Sequence, residues 1–166
     1  MKKTIFSLII LLSVSALSLN AQKIAYIHRD SIFASMPETI AAKNTLNSFL
    51  SQAQTELQSM QTEYQTKVND FNASVDSLSD VVKNNKVADI QALEKRIQDF
   101  QVQAQTEYNK KQQDLLVPIQ NKFDAALEKV RKAGGYNVIM NISADVLYVD
   151  PKYIITDKMM KELEIN

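Results

Sequence analysis

No catalytic constellation appears in this sequence. His28 is the single histidine, and cysteine is absent. Disulfides, thiolate metal sites and Cys-His nucleophiles are therefore closed to it. Neither G-x-x-x-x-G-K-[ST] nor G-x-G-x-x-G occurs, so no glycine-rich loop is available to cradle phosphates. His28 reads as a side chain on a short strand rather than as a general base. The expectation is a protein that is not an enzyme, with no catalytic, cofactor-binding or metal-binding residues and no bound nucleotide. The basic pairs Lys95-Arg96 and Lys110-Lys111 read as solvated helix surface. What remains is the chemistry of weak contact, apolar side chains spaced along a polar stretch.

Those side chains need a scaffold, and the spacing names it. From Glu38 to Ala133 there is no glycine, and Pro118 is the only proline. Glycine and proline are the residues that stop helices, so this stretch is free to stay helical. Leu50, Leu57, Tyr64, Phe71 and Leu78 recur every seven residues, with Leu46, Ala53, Met60 and Val81 three places further on. Lys67 and Ser74 break that second row. A sustained heptad predicts a coiled-coil seam. Ile90, Leu93, Ile97, Phe100 and Ala104 resume the 3-4 spacing, and Ile119, Phe123, Ala126 and Val130 continue it. The polar run Lys83-Asn84-Asn85-Lys86 places the reversal near residues 83–87. Two helices of about 45 residues each, near 65–70 Å long, then lie antiparallel as an arm. Pro118 removes one backbone hydrogen bond and should kink the second helix.

The arm spans 37–133, and 22–36 with 134–166 form a β-rich body that ends in a helix. Lys23 to His28 is a strand candidate, followed by a short helix with Asp30 as its N-cap. Gly134 and Gly135 are the only glycines, and one of them ends the second long helix behind Lys129, Arg131 and Lys132. Tyr136–Ile142 and Val146–Val149 read as a β-hairpin, and Thr156 as the N-cap of the last helix. The fold class is thus mainly α with a small β body, a long helical hairpin projecting from a short-stranded base. Ile24, Tyr26, Val138, Met140, Val146 and Tyr148 bury too little to stand alone. Their exposed edges invite pairing with other subunits.

Lys2 and Lys3, the apolar run Ile5–Leu12 and the small residues behind it form a secretory signal peptide over residues 1–21. The apolar run is shorter than the ~20 residues that span a bilayer. Removing this leader leaves 17 basic and 19 acidic side chains, a net charge of −2. No field of that size draws in nucleic acid, and the charge gives no support to contact with a membrane surface.

The order of strand, short helix, long helical hairpin, glycine-capped return, β-hairpin and terminal helix resembles the Skp/OmpH family of periplasmic chaperones. Lys23-Ile24-Ala25-Tyr26-Ile27, Ile32-Phe33, Pro118-Ile119, Ala125-Ala126-Leu127, Val130 and Gly135-Tyr136-Asn137-Val138-Ile139 carry the likeness. Asp150-Pro151 and Ile154-Ile155-Thr156-Asp157 extend it. The resemblance implies a periplasmic homotrimer with three arms hanging around a cavity. That cavity would shelter unfolded outer-membrane β-barrel proteins without ATP. The chain departs from the basic character of well-known members. Between Met60 and Lys110 it has six basic and eight acidic residues.

Each arm residue has two readings. Leu50, Leu57, Tyr64, Phe71, Leu78, Ile90, Leu93, Ile97 and Phe100 are assigned to the seam. Val68, Val75, Val82, Val102 and Tyr108, off the main seam, are candidates to face an unfolded client. A structural or adaptor coiled coil of the envelope would share the hairpin. It would not need the flanking strands.

Overall fold

The computed structural model describes residues 22–165. Strand β1 (Ile24–Ile27) leads through helix α1 (Arg29–Ser35) into helix α2 (Pro37–Ser74). A 3-10 turn at Val75–Ser77 reverses the chain into α3 (Asp80–Gly134). Strand β2 (Val138–Asn141), a second 3-10 turn (Pro151–Tyr153) and helix α4 (Thr156–Glu162) complete it.

The arm is one crossover between two parallel strands. β1 and β2 pair in the register Ile24 with Val138, Ala25 with Ile139, Tyr26 with Met140 and Ile27 with Asn141. Parallel strands need a long connection, and here α1, α2 and α3 supply it. The pleat sends Ala25 and Ile27 into the core, where they are buried. Ile24 and Tyr26 consequently stand on the other face, level with Val138 and Met140.

The core gathers one stripe from each element. α3 contributes Ile119, Phe123, Ala126 and Val130 at helical spacing. α1 contributes Ile32, and α4 contributes Met159 beside Ile155 and Leu163. Met36, fully buried, forms the corner between α1 and α2. Its ψ of 125° is the extended backbone that a following proline imposes. Pro37 then opens α2 where no N–H is needed.

At 38 and 55 residues, α2 and α3 are unequal, about 57 and 83 Å at 1.5 Å per residue. The excess of α3 runs past the arm into the body. Its end is closed by Gly135, left-handed at φ 64°. Tyr136 N–H donates to the Arg131 carbonyl at 3.0 Å and Gly135 N–H to that of Lys132 at 3.2 Å. That pair of bonds is a Schellman closure, which favours glycine at the left-handed position. Just before it, Glu128 accepts from Arg131 and Lys132, which pull its carboxyl down to about 2.

Several expectations are corrected. The reversal lies at residues 75–79, not 83–87. Ser79, extended at ψ 157°, precedes Asp80 at the start of α3, a polar start that outweighs the weak helix aversion of Asn84 and Asn85. Lys83 N–H already bonds the Ser79 carbonyl at 2.9 Å. Val146–Val149 is not a strand. Ser143–Val146 makes a turn, and Ile154 takes the place beside β1 through a parallel bridge to Tyr26. Asp30 lies inside the first turn of α1, with His28 at the N-cap position. Ile155 holds that position for α4, while Thr156 Oγ1 accepts from His28 N–H at 2.9 Å. The leader assigned to residues 1–21 lies outside the described residues.

Candidate functional site

Among the described residues, apolar side chains stand uncovered on the body and on the arm. On the body, the outer sheet face presents Ile24, Val138 and Met140, which are 37%, 40% and 45% exposed. Tyr26 is half-buried between them. The loop after β2 adds Leu147 and Tyr148, almost wholly exposed, while Val146 is half-buried. Alternation along two paired strands places four of these side chains on one face. The structure thus brings Ile24, Tyr26, Val138 and Met140 together. Val146 and Tyr148 belong to an irregular loop instead of a third strand.

On the arm the seam closes only in places. Leu46, Met60 and Leu93 are buried. Leu57, Tyr64, Phe71, Ile90, Ile97 and Phe100 are half-buried, as a two-helix contact leaves them. Leu50 is 48% exposed, so it does not act as a closed seam residue. Leu78 falls in the reversal and not in a helix. Between the closed layers lies an open groove of about 410 Å³, lined by Phe49, Leu50, Ala53, Gln54, Leu57, Phe100, Gln101, Ala104, Gln105 and Tyr108. Alanine from each helix, Ala53 and Ala104, leaves the volume that larger seam residues would fill. At one end the Phe49 and Tyr108 rings stand 6.5 Å apart, and Lys111 Nζ lies 5.4 Å from the Phe49 ring centre.

The proposed client-facing residues separate accordingly. Val82 and Val102 are exposed, whereas Val68 and Val75 are half-buried. Tyr108 is half-buried in the groove wall. Phe49 and the three groove glutamines stand outside the apolar periodicity. Ala53 and Ala104 both appeared in the apolar periodicity, and two small residues in a large-residue row were the available signal.

Elsewhere, a hollow of about 360 Å³ beside Tyr136 is lined by Lys129, Lys158 and Lys161. Its charges are already engaged in part. Lys129 pairs with Glu162 at 2.9 Å, and Lys158 Nζ donates to the Tyr136 hydroxyl at 3.2 Å. Among the described residues no His, Cys, Asp and Glu cluster could hold a metal ion. No described helix is long and apolar enough to cross a membrane.

Pro118 sits within α3, just beyond the apolar pair Leu116 and Val117, which are about half exposed. The arm root is fastened around it. Lys122 Nζ donates to Glu38 Oε1, joining α3 to α2. Arg29 donates to Gln120 Oε1 at 2.9 Å and lies over the Phe33 ring at 4.8 Å.

Comparison with known proteins agrees with this architecture. The model of the OmpH-like outer membrane protein family matches residues 23–163. The chain is 30% identical over 162 residues to the chaperone protein Skp of Yersinia enterocolitica, covering 95% of both chains. It also superposes on the crystal structure of an OmpH-like chain from Caulobacter crescentus CB15 with a TM-score of 0.76. That match has 18% identity and covers 86% of this chain and 84% of the other. With a family match over nearly its whole length and a helical arm rooted in a small sheet, the chain belongs to the OmpH-like outer membrane protein family.

Proposed function

We propose that this protein is an ATP-independent periplasmic holdase that shelters unfolded outer-membrane β-barrel proteins between the arms of a homotrimer. The observation that carries the reading is the uncovered sheet face of Ile24, Tyr26, Val138 and Met140 at the base of a long arm. A face of that kind on an otherwise polar chain calls for a protein neighbour. Further copies of the same strands supply one, and symmetric association sets the arms around a common space. The Skp relative is a chaperone by name, which favours a held client over a structural spacer.

The arm suits holding without tight capture. Its apolar residues are dispersed, and many weak contacts retain an unfolded chain while permitting release. With six basic and eight acidic residues between Met60 and Lys110, attraction rests on apolar contact more than on charge. Residues 1–21 carry the export address in this reading, so the mature protein works in the periplasm.

The test is dilution of a urea-unfolded outer-membrane β-barrel protein into buffer with the mature protein and no nucleotide. The expected result is a soluble complex of defined mass. Aggregation of the barrel protein at the same rate with and without the chain would refute the reading.

A further inference from the structure

We infer that the hollow beside Tyr136, between the end of α3 and α4, is a binding site for an apolar monocarboxylate, the chemistry of a peptide's carboxyl end or of a short fatty acid. This goes beyond the chaperone reading and does not rest on it. The hollow has a volume of about 360 Å³, at the lower end of ordinary ligand clefts. Its lining sets Lys129, Lys158 and Lys161 against a single carboxylate, Glu162. Lys129 and Glu162 pair at 2.9 Å and cancel each other. Lys158 and Lys161 have no carboxylate partner among the described residues, so their charges stand uncompensated in the lining.

Tyr136 adds an independent sign of a ligand. It is 6% exposed, and its hydroxyl accepts from Lys158 Nζ at 3.2 Å yet donates to no acceptor among the described residues. A phenol hydroxyl can do both, and a buried donor left unpaired is costly. Lys158 spends a single ammonium hydrogen on Tyr136 and keeps the others. The helix dipole accounts for Lys161, in the last turn of α4. It accounts neither for Lys158 nor for the unpaired hydroxyl hydrogen. The hollow therefore gathers spare donors from Tyr136, Lys158 and Lys161, while its one carboxylate is already paired.

A carboxylate answers that set. It is acceptor-only, with room for several donors on its oxygens, and its bonds to ammonium groups are of the stronger, charge-assisted kind. The rest of the lining is apolar, with Val130, Ala133 and the Tyr136 ring, and can cover an apolar group attached to the anionic head. Inorganic phosphate would satisfy the amines and leave that surface bare. A neutral apolar molecule would leave the amines and the hydroxyl unanswered.

The test titrates the full mature protein, carrying ring-labelled tyrosine, with an acetylated tetrapeptide ending in leucine, its carboxamide, hexanoate and inorganic phosphate. Calorimetry gives the affinities, and Tyr136→Phe assigns the Tyr136 signal. The expected result is a shift of that signal with the peptide acid, with hexanoate or with both, and none with the carboxamide. A response to the peptide alone assigns the site to chain ends, and one to hexanoate alone to free acids. Lys158→Gln should weaken binding about tenfold or more, a loss of about 1.4 kcal/mol. Lys158 is exposed, so this change leaves the core intact. Lys110→Gln removes the same charge from an exposed position on the arm and should match the wild type.

Tyr136→Phe keeps the ring and removes the hydroxyl, and it too should bind the acids more weakly. Equal binding of acid and carboxamide, or equal binding by wild type and Lys158→Gln, would overturn the proposal. So would phosphate binding as tightly as the acids, or no response to any of the four ligands.

Discussion

The rings of Phe33 and Phe123 stand 4.7 Å apart, centre to centre, and join the short helix α1 to the root of the arm. Phe123 is 2% exposed and lies in the stripe that α3 gives to the core. Arg29 covers both rings, at 4.8 and 5.9 Å. Arm and body are thus one packed unit at this point. Phe123→Ala should cost about 3–5 kcal/mol, read as a lowered midpoint in urea unfolding. A loss below about 1 kcal/mol would contradict the packing described.

The end of α3 makes a prediction from two adjacent glycines. Gly135→Ala forces a side chain into the left-handed region, at roughly 1–2 kcal/mol, with open space around the new methyl. At Gly134 the difficulty is contact. A Cβ there would lie 2.0 Å from Cε2 of the buried Tyr136. Gly134→Ala should therefore displace the Tyr136 ring and shift its NMR signals, at a cost of roughly 1–3 kcal/mol. Gly135→Ala should lower the melting temperature while leaving those signals nearly in place.

Acid should loosen the arm root. The Lys122 hydrogen bond holds the Glu38 carboxyl below its ordinary value of 4.5, aided by a backbone bond and opposed by burial. A depressed carboxylate adds stability above its ordinary value and loses it as pH falls through the folded one. Both side chains are over 40% exposed, so the contribution is under about 1 kcal/mol. Melting temperatures of wild type and Glu38→Gln, from pH 7 down to 2.5, should differ above pH 5 and converge in acid. Glu128 is depressed in the same direction and is common to both proteins, so the comparison isolates Glu38. A gap independent of pH would remove the ion pair from the account.

Pro118 lies inside α3, where proline leaves the carbonyl four residues earlier, that of Asp114, without its helical donor. Pro118→Ala restores that bond and should narrow the spread of arm positions seen by small-angle scattering. It should also reduce the size range of clients held. Unchanged scattering and unchanged client capacity would show that Pro118 does not loosen the arm.

How far the sequence reveals this molecule depends on the kind of signal. The absence of glycine over 38–133 and the apolar repeat suffice for a helical hairpin, because helix length is set by what is missing as much as by what is present. The paired glycines suffice for the end of α3, since a left-handed residue is needed there. The reversal was harder to read. Asn84-Asn85 is the more turn-like pair by composition, yet Ser79-Asp80 carries the helix start. The sheet was hardest, because its pairing is non-local. Val146–Val149 has the composition of a strand, but the place beside β1 goes to Ile154, more than a hundred residues from Tyr26 in sequence. The groove was half visible, as Ala53 and Ala104 in an apolar row, and only the antiparallel register of the helices brings the two together.

The central claim is that the outer sheet face joins three copies into a holding assembly. The most direct measurement is the light-scattering mass of the mature protein and of Met140→Asp, each alone and with a urea-diluted outer-membrane β-barrel protein. Met140 is 45% exposed in the single chain, so the substitution leaves the core of each copy untouched. The account predicts a wild-type trimer that carries the client in a soluble complex. It predicts that Met140→Asp is a folded monomer that leaves the client to aggregate. A monomeric wild type, or a Met140→Asp protein that remains trimeric, would contradict it.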